Sequence, residues 1–269
     1  MKIILRKTSL VDYPGKVSSV FFFSGCNLRC PWCHNRELVL GGAADLVDVE
    51  DGLAHVVKRR TVLGGVVLSG GEPCLCEDLP DIIREIKKIK PPDGNAAISV
   101  KLDTNGMFPA VLEKLFSSED TRPDYIALDL KIAPSRYGEL IDPERKINHG
   151  ETRSFDERFS FSSVKPCGLR GKKPGDNLFQ SAALIRDSGI AHEFRTLALP
   201  ASFITEKDIE ALAPLAGSAP WYFRPFRAGN CLDPAWDSLE EPAADCEKRT
   251  KALAEKAREL GKTGIAPAS

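Results

Sequence analysis

Short apolar runs alternate along the chain with longer stretches in which apolar positions recur at helical spacing. Residues 18–23 (SSVFFF), 65–69 (GVVLS), 97–103, 124–130 (DYIALDL), 192–199 and 221–225 read as strands. Residues 49–61, 77–90, 109–117, 177–188, 205–215 and 240–260 read as helices. In 77–90 (EDLPDIIREIKKIK), Ile82, Ile83, Ile86 and Ile89 recur at helical spacing. Roughly six β/α units in succession predict an α/β fold with parallel strands and outer helices. Right-handed crossovers then give either an open sheet or a curved, incomplete barrel. Residues 142–173 break the pattern: they are polar, basic in patches and rich in turn formers, and read as an inserted loop.

Alternation within the strands adds chemistry to this frame. Ile126, Leu128 and Leu130 share one face of their strand, and Ala127, Asp129 and Lys131 share the other. Val100 and Leu102 oppose Ser99, Lys101 and Asp103, while Glu193, Arg195 and Leu197 share a face. With the apolar faces under helices, the inner surface carries Lys101, Asp103, Asp129, Lys131, Glu193 and Arg195. Barrel interiors are ordinarily filled by Val, Ile and Leu. Buried charges are costly unless paired or ligand-bound. The interior is therefore expected to hold a polar, charged ligand, the alternative being that these groups pair with one another.

In a parallel β/α fold, the loops after the C-terminal ends of the strands build the active site. The unusual residues of this chain fall there. GCNLRCPWCHN, with Cys26, Cys30 and Cys33, follows the first strand; Gly70-Gly71-Glu72-Pro73 follows the second; Asp103-Thr104-Asn105-Gly106 follows the third; Asp129 and Lys131 close the fourth. A helix-leading turn would account for GGEP alone, and a tight turn for DTNG alone. Four such features in register point to one site.

Composition narrows the compartment and the partners. Length allows one large domain or two small ones, and of 269 residues 42% are hydrophobic and 28% charged, which is ordinary for a globular chain. A formal net charge of -1 supplies no global field for nucleic acid or anionic membranes. The longest early apolar cluster, Val20-Phe21-Phe22-Phe23, is too short for a signal-peptide core. No apolar run approaches the ~20 residues that span a bilayer. A cytoplasmic location follows as an expectation, with eight reduced cysteines, of which clustered ones bind metal. Three cysteines spaced CxxxCxxC, with no second pair nearby, suit a four-iron cluster with one iron left open for another ligand. A Cys3His zinc site closed by His34 is the competing reading, made awkward by the adjacency of His34 to Cys33.

CxxxCxxC with Trp32 before its last cysteine resembles the signature of radical S-adenosylmethionine (radical SAM) enzymes. The resemblance extends through SLVDYPGKVSSVFFFSGCNLRCPWCHNREL, GGVVLSGGEPCL, VKLDTNG, DYIALDLK, EFRTLALP and FRPF, in order from Ser9 to Phe226. Together these blocks are similar to the glycyl-radical-enzyme activating enzymes, above all those serving anaerobic ribonucleoside-triphosphate reductase. What this resemblance implies is a partial TIM barrel over a single domain, 1–269. Its core would cover 9–226, with the insertion at 142–173 and a C-terminal helical tail at 238–269. Cys26, Cys30 and Cys33 would ligate a [4Fe–4S] cluster whose open iron is chelated by S-adenosylmethionine. Trp32 would lie near the adenine. Gly70, Gly71 and Glu72 would meet the methionyl amino group, and Asp103 and Lys131 would contact the cofactor, Lys131 through its carboxylate. Arg195 would sit in the cofactor pocket, and a monovalent cation would sit near Asp103, Thr104 and Asp129. The implied partners are a glycyl radical enzyme and a flavodoxin or ferredoxin as reductant, with no nucleic acid and no membrane.

Alternatives remain at this level. Pyruvate formate-lyase or another glycyl radical enzyme could be the partner. A small-molecule radical SAM enzyme such as a 7-carboxy-7-deazaguanine synthase shares the cysteine loop. A non-catalytic iron–sulfur electron carrier or metal-binding protein would share the cysteines but leave the inward charges unexplained. Cys74, Cys76, Cys167, Cys231 and Cys246 read as buried reduced thiols, with Cys74 and Cys76 close enough in sequence to GGEP to approach the cluster pocket.

Overall fold

Strand β1 (Lys2–Ser9) turns back through an eight-residue lead-in and pairs antiparallel with β2 (Ser18–Phe23). The computed structural model describes residues 1–92, 96–141, 173–239 and 242–261, together with the backbone of 266–267. The insertion expected at 142–173 lies outside the described residues apart from Lys173, as does Cys167. After the cysteine loop come α1 (Arg36–Leu40) and β3 (Leu46–Asp48), which pairs antiparallel with β1. Then the chain alternates: α2 (Val49–Arg59), β4 (Gly65–Gly70), α3 (Leu79–Lys88), β5 (Ser99–Thr104), α4 (Pro109–Phe116) and β6 (Tyr125–Asp129). It continues through α5 (Pro174–Asp187), β7 (Ala191–Ala198), α6 (Glu206–Ala216), β8 (Trp221–Pro225), α7 (Ala243–Glu259) and the two-residue β9 (Ala266–Pro267). Among the described residues no helix is long and apolar enough to cross a membrane.

The sheet runs β3-β1-β2-β4-β5-β6-β7-β8-β9, and every pairing from β2 to β9 is parallel. The six strands read from sequence are the six long parallel ones. Missing from that reading are β1, β3, α1 and the two-residue β9. Most of β1 is exposed or half-buried, so its residues carry little burial pattern, and α1 is too short to show a helical period. Proline moves several helix ends. Pro80 sits in the first turn of α3, which starts at Leu79 rather than Glu77, and α7 starts only after Pro242.

Two apolar layers follow from the strand alternation. Val66, Leu68, Val100, Leu102, Ile126 and Leu128 point to the helices, where Ile82, Ile83 and Ile86 of α3 bury among them. On the concave face Tyr13, Val20 and Val67 form a small separate cluster with Phe22 and Tyr125 packed against it. The lead-in loop closes that end. Tyr13 is buried with its ring 6.0 Å from Tyr125, Lys101 Nζ donates to the Asp12 carbonyl at 2.7 Å, and Lys16 Nζ donates to Ser99 Oγ at 2.9 Å.

At the opposite end, β4 runs into the cysteine loop at near backbone contact. The Gly71 N–H donates to the Phe23 carbonyl and the Glu72 N–H to the Gly25 carbonyl, each at 2.9 Å. A Cβ on Gly71 would stand 1.9 Å from the Gly25 oxygen. Gly70 takes φ +113, where a side chain would also meet the Phe23 backbone. We expect Gly71→Ala to cost about 3 kcal/mol, the upper range for overpacking a rigid contact, seen as a lower urea midpoint with an unchanged slope. A midpoint equal to the wild type would show that the two loops are not held this close.

Candidate active site

The cysteine loop is pinned along its length by backbone and side-chain bonds. The Gly25 N–H donates to the Leu38 carbonyl, the Cys33 N–H to the Cys30 carbonyl, and the Arg29 N–H to the Leu140 carbonyl at 2.6 Å. Arg29 Nη1 also donates to the Cys26 carbonyl at 2.6 Å. Cys26 and Cys30 are buried and Cys33 is half-buried. Burial pushes all three thiols upward, Cys26 to about 11, and Lys131 pulls each the other way. A metal that replaces the proton removes the cost of desolvating a thiol as thiolate, and the adjacent ammonium then favours the bound form. His34 does not join this set: its Nε2 lies 2.6 Å from the Arg227 carbonyl oxygen. Among the described residues no three His, Cys, Asp or Glu side chains converge on a single ion. It is the engagement of His34 with Arg227 that disfavours the Cys3His zinc site. A multi-iron cluster takes each thiolate on a different iron and does not ask for such convergence.

Glu72 departs from its expected exposure to a ligand. Its side chain is 1% exposed, and its oxygens accept from the Cys74 N–H at 3.1 Å, the Thr104 hydroxyl at 2.8 Å and the Asn105 N–H at 2.8 Å. Burial raises its pKa, and these donors oppose the rise. The carboxylate thus ties the β4 loop to the β5 loop. Cys74 shares the same pocket, with Sγ 3.7 Å from Thr104 Oγ1, and burial holds its thiol well above the ordinary range.

Between β4 and β7, the inward charges pair with one another. Lys101 Nζ lies 3.2 Å from Asp103 and 3.9 Å from Glu193; Arg195 reaches Asp103 at 3.4 Å and Asp129 at 2.9 Å; Lys131 lies 3.3 Å from Asp129. The Tyr125 hydroxyl donates to Glu193, and the Ser69 hydroxyl to Asp103. Three cations and three anions cancel, which is how a β-barrel interior tolerates them. Arg195 occupies the space between Asp103 and Asp129, and the Thr104 hydroxyl is committed to Glu72. The side-chain oxygens of the three residues expected to hold a monovalent cation are thus each engaged by a neighbouring side chain. Burial raises the Asp129 pKa, but the Arg195 and Lys131 charges bring it down to about 2. Lys131 is raised despite burial, Asp129 being the largest cause. The Lys131 N–H donates to Tyr137, a fully buried ring that fixes the end of β6.

Trp32 is 4% exposed and sits in an aromatic cluster, its ring 4.8 Å from Phe203 and 5.3 Å from Trp236. Phe226 joins at 5.7 Å from Trp236. The segment after β8 lies along the cysteine loop: the Asp233 N–H donates to the Pro31 carbonyl at 2.9 Å, and Asn230 Nδ2 to the His34 carbonyl at 3.3 Å. Asp237 gathers the Gly229 and Cys231 N–H groups.

A half-open parallel barrel with three cysteines at one strand end and a neutral charge chain beneath them defines a class of metal-cluster β/α enzyme. Residues 20–159 match the Radical SAM superfamily model, and the chain belongs to that superfamily. A Methanocaldococcus jannaschii protein provisionally named a glycyl-radical enzyme activating enzyme is 27% identical over 235 residues, covering 87% of this chain and 83% of that protein. The pyruvate formate-lyase 1-activating enzyme of Escherichia coli K12 is 36% identical over 129 residues, 45% of this chain and 48% of that enzyme. Among solved structures, Streptococcus suis SuiB superposes with a TM-score of 0.59 at 13% identity, over 93% of this chain and 48% of that chain. A radical SAM methyltransferase from Sphaerobacter thermophilus gives 0.59 at 15% identity, over 95% and 67%. These two likenesses establish the fold, and with it the partial barrel. The chain is a radical SAM enzyme, and the cofactors of its family are a [4Fe–4S] cluster and S-adenosylmethionine. Three closely grouped thiols with a neighbouring ammonium, and no fourth cysteine in their loop, fit the cluster.

Of the residues anticipated from sequence, the structure gathers Cys26, Cys30, Cys33 and Lys131 at the mouth and Asp103, Asp129 and Arg195 just below. Glu72 and Thr104 turn to each other behind the loops, and Gly70 and Gly71 press against the cysteine-loop backbone. Sequence reasoning did not single out Asn27, Asn105, Tyr137, Phe203 or Trp236. Only Asn27, in the cysteine loop, and Asn105, in DTNG, lay inside motifs that could have revealed them.

Asp129 gives a pH signature. Its pKa is depressed in the folded chain, so its contribution is complete above the ordinary value of 3.8 and is lost as pH falls from there to about 2. We expect the unfolding free energy to fall across that window, and Asp129→Asn to flatten the fall. Urea titrations at several pH values check this; an unchanged acid slope in the variant would refute the pairing.

Proposed function

We propose that this chain activates a glycyl radical enzyme, taking a hydrogen atom from a backbone glycine Cα of that partner. The observation that carries this reading is the alignment with the M. jannaschii protein of that name across most of both chains. Within the reading, Cys26, Cys30 and Cys33 hold the cluster. Among the described residues Lys131 has Asp129 as its one close carboxylate, and with three N–H donors it has donors to spare for the carboxylate of S-adenosylmethionine. The backbone of Gly70 and Gly71 borders the methionyl end, Trp32 lies on the adenine side, and Arg195 with Asp103, Thr104 and Asp129 forms the floor. When bound, the cluster and S-adenosylmethionine supply a 5′-deoxyadenosyl radical. The protein's part is to orient and to exclude water, which the burial of Cys26, Cys30 and Trp32 serves.

The preferred partner is an anaerobic ribonucleoside-triphosphate reductase, on the family resemblance of the SLVDYPG lead-in and the DYIALDLK block. A flavodoxin or ferredoxin would deliver the electron, in the cytoplasm, with the whole chain acting as one domain. The 36% identity to the E. coli activase favours pyruvate formate-lyase as a second candidate, although that match spans about half of each chain. A partner glycine has to reach the barrel mouth, so its segment rearranges on docking.

Anaerobic reconstitution with iron and sulfide, followed by reductant, S-adenosylmethionine and each candidate partner, tests the proposal. We expect 5′-deoxyadenosine together with a carbon-centred radical on the partner by electron paramagnetic resonance, and neither product from Cys30→Ala. Full product formation by Cys30→Ala would falsify the cluster assignment. Product without any partner radical would redirect the reading to a small-molecule substrate.

A further inference from the structure

Asn105 stands at the junction of three loops and is 4% exposed. Its backbone N–H donates to Glu72 Oε2 at 2.8 Å. Its Oδ1 accepts from the Met107 N–H at 3.0 Å, which fixes the orientation of the amide. The Nδ2 end is thereby turned to the cysteine loop, 2.8 Å from Asn27 Oδ1 and 3.8 Å from Cys26 Sγ. The two hydrogens on Nδ2 can serve both acceptors. Cys26 Sγ also accepts from the Leu28 N–H at 3.4 Å.

We propose that Asn105 is a positioning residue that raises the reduction potential of the cluster by donating an N–H···S hydrogen bond to Cys26. The inference rests on the assignment of the three cysteines as cluster ligands. The physical reason is charge. The reduced cluster carries one more electron, delivered by the flavodoxin or ferredoxin, and that charge spreads onto the thiolate sulfurs. A hydrogen bond to a ligand sulfur stabilises the more negative state and eases reduction. The bond is poised by the rest of the junction. Glu72 holds the Asn105 backbone from behind, and the Met107 N–H prevents the amide from flipping. Asn27 Oδ1 keeps the NH2 group against the loop. Among the described hydrogen bonds no other side-chain amide donates to a cluster cysteine sulfur; at Asn27 the Cys26 thiol donates instead, to Oδ1 at 4.0 Å.

The experiment is a redox titration of the reconstituted full chain, without S-adenosylmethionine, following the reduced-cluster signal by electron paramagnetic resonance. Wild type is compared with Asn105→Ser and Asn105→Asp. Serine removes the amide hydrogens and adds no charge. Aspartate keeps an acceptor for the Met107 N–H but removes the hydrogens and adds a negative charge. Each variant is titrated after its iron and sulfide content and its circular dichroism match the wild type, and if Asn105→Ser fails to load, the equally uncharged Asn105→Ala takes its place. The expected result is a midpoint shifted to more negative potential in both variants, with the larger shift in Asn105→Asp. A shift in Asn105→Asp alone would reduce the effect to added charge and overturn the hydrogen bond, as would no shift in either. A wild-type chain that never shows a cluster signal would instead overturn the functional reading, a result distinguishable from both.

Discussion

One buried carboxylate holds the active end of this molecule together. An ionised group without water is tolerated only when its lone pairs meet donors, and Glu72 meets them from two directions. Its own turn supplies the Cys74 N–H, and the neighbouring strand end supplies the Thr104 hydroxyl and the Asn105 N–H. The same turn presses two glycines onto the backbone of the cysteine loop. Three successive strand ends are thus fixed relative to one another by contacts with almost no slack. Such mutual fixing is the usual requirement for a site that must orient rather than react.

Beneath that junction, electrostatics take over from packing. Lys101, Asp103, Arg195, Asp129 and Lys131 alternate in sign from the plugged end of the barrel to its mouth. Each internal member has a partner on either side, whereas Lys131, at the end, has one among the described residues. The chain of pairs therefore presents its spare positive character where an anionic ligand group would enter, while keeping the interior neutral. Arg195 is central to this economy of charge because its planar fork spans two carboxylates that a lysine could not bridge with the same geometry.

Much of this was legible in the sequence, for identifiable reasons. Strong period-two alternation in DYIALDL and SVKLD revealed both the strands and the inward charges, and the cysteine spacing revealed the metal chemistry. The three polar loops fell at strand ends and so could be placed together. What stayed hidden depends on distance along the chain or on weak patterning. β1 is largely exposed and shows little apolar signal. Trp236 and Phe203 reach Trp32 from more than a hundred residues away, which no local pattern encodes. Glu72 looked like a ligand-facing carboxylate because its spacing gives the residue but not the direction of its side chain. The ion pairs likewise could be listed as candidates but not assigned, since alternation gives the face and not the partner.

The strap after β8 joins the last part of the chain to one of the first. Trp32 is covered by Phe203 and Trp236, and Pro31 accepts from the Asp233 N–H. As synthesis proceeds from the N-terminus, the cysteines emerge some two hundred residues before the groups that complete their surroundings. The finished metal-binding environment is therefore a property of the completed chain. A polypeptide interrupted ahead of β8 would carry all three thiols and Phe203, yet lack Trp236 and the Asp233 N–H that this late segment lays against the cysteine loop.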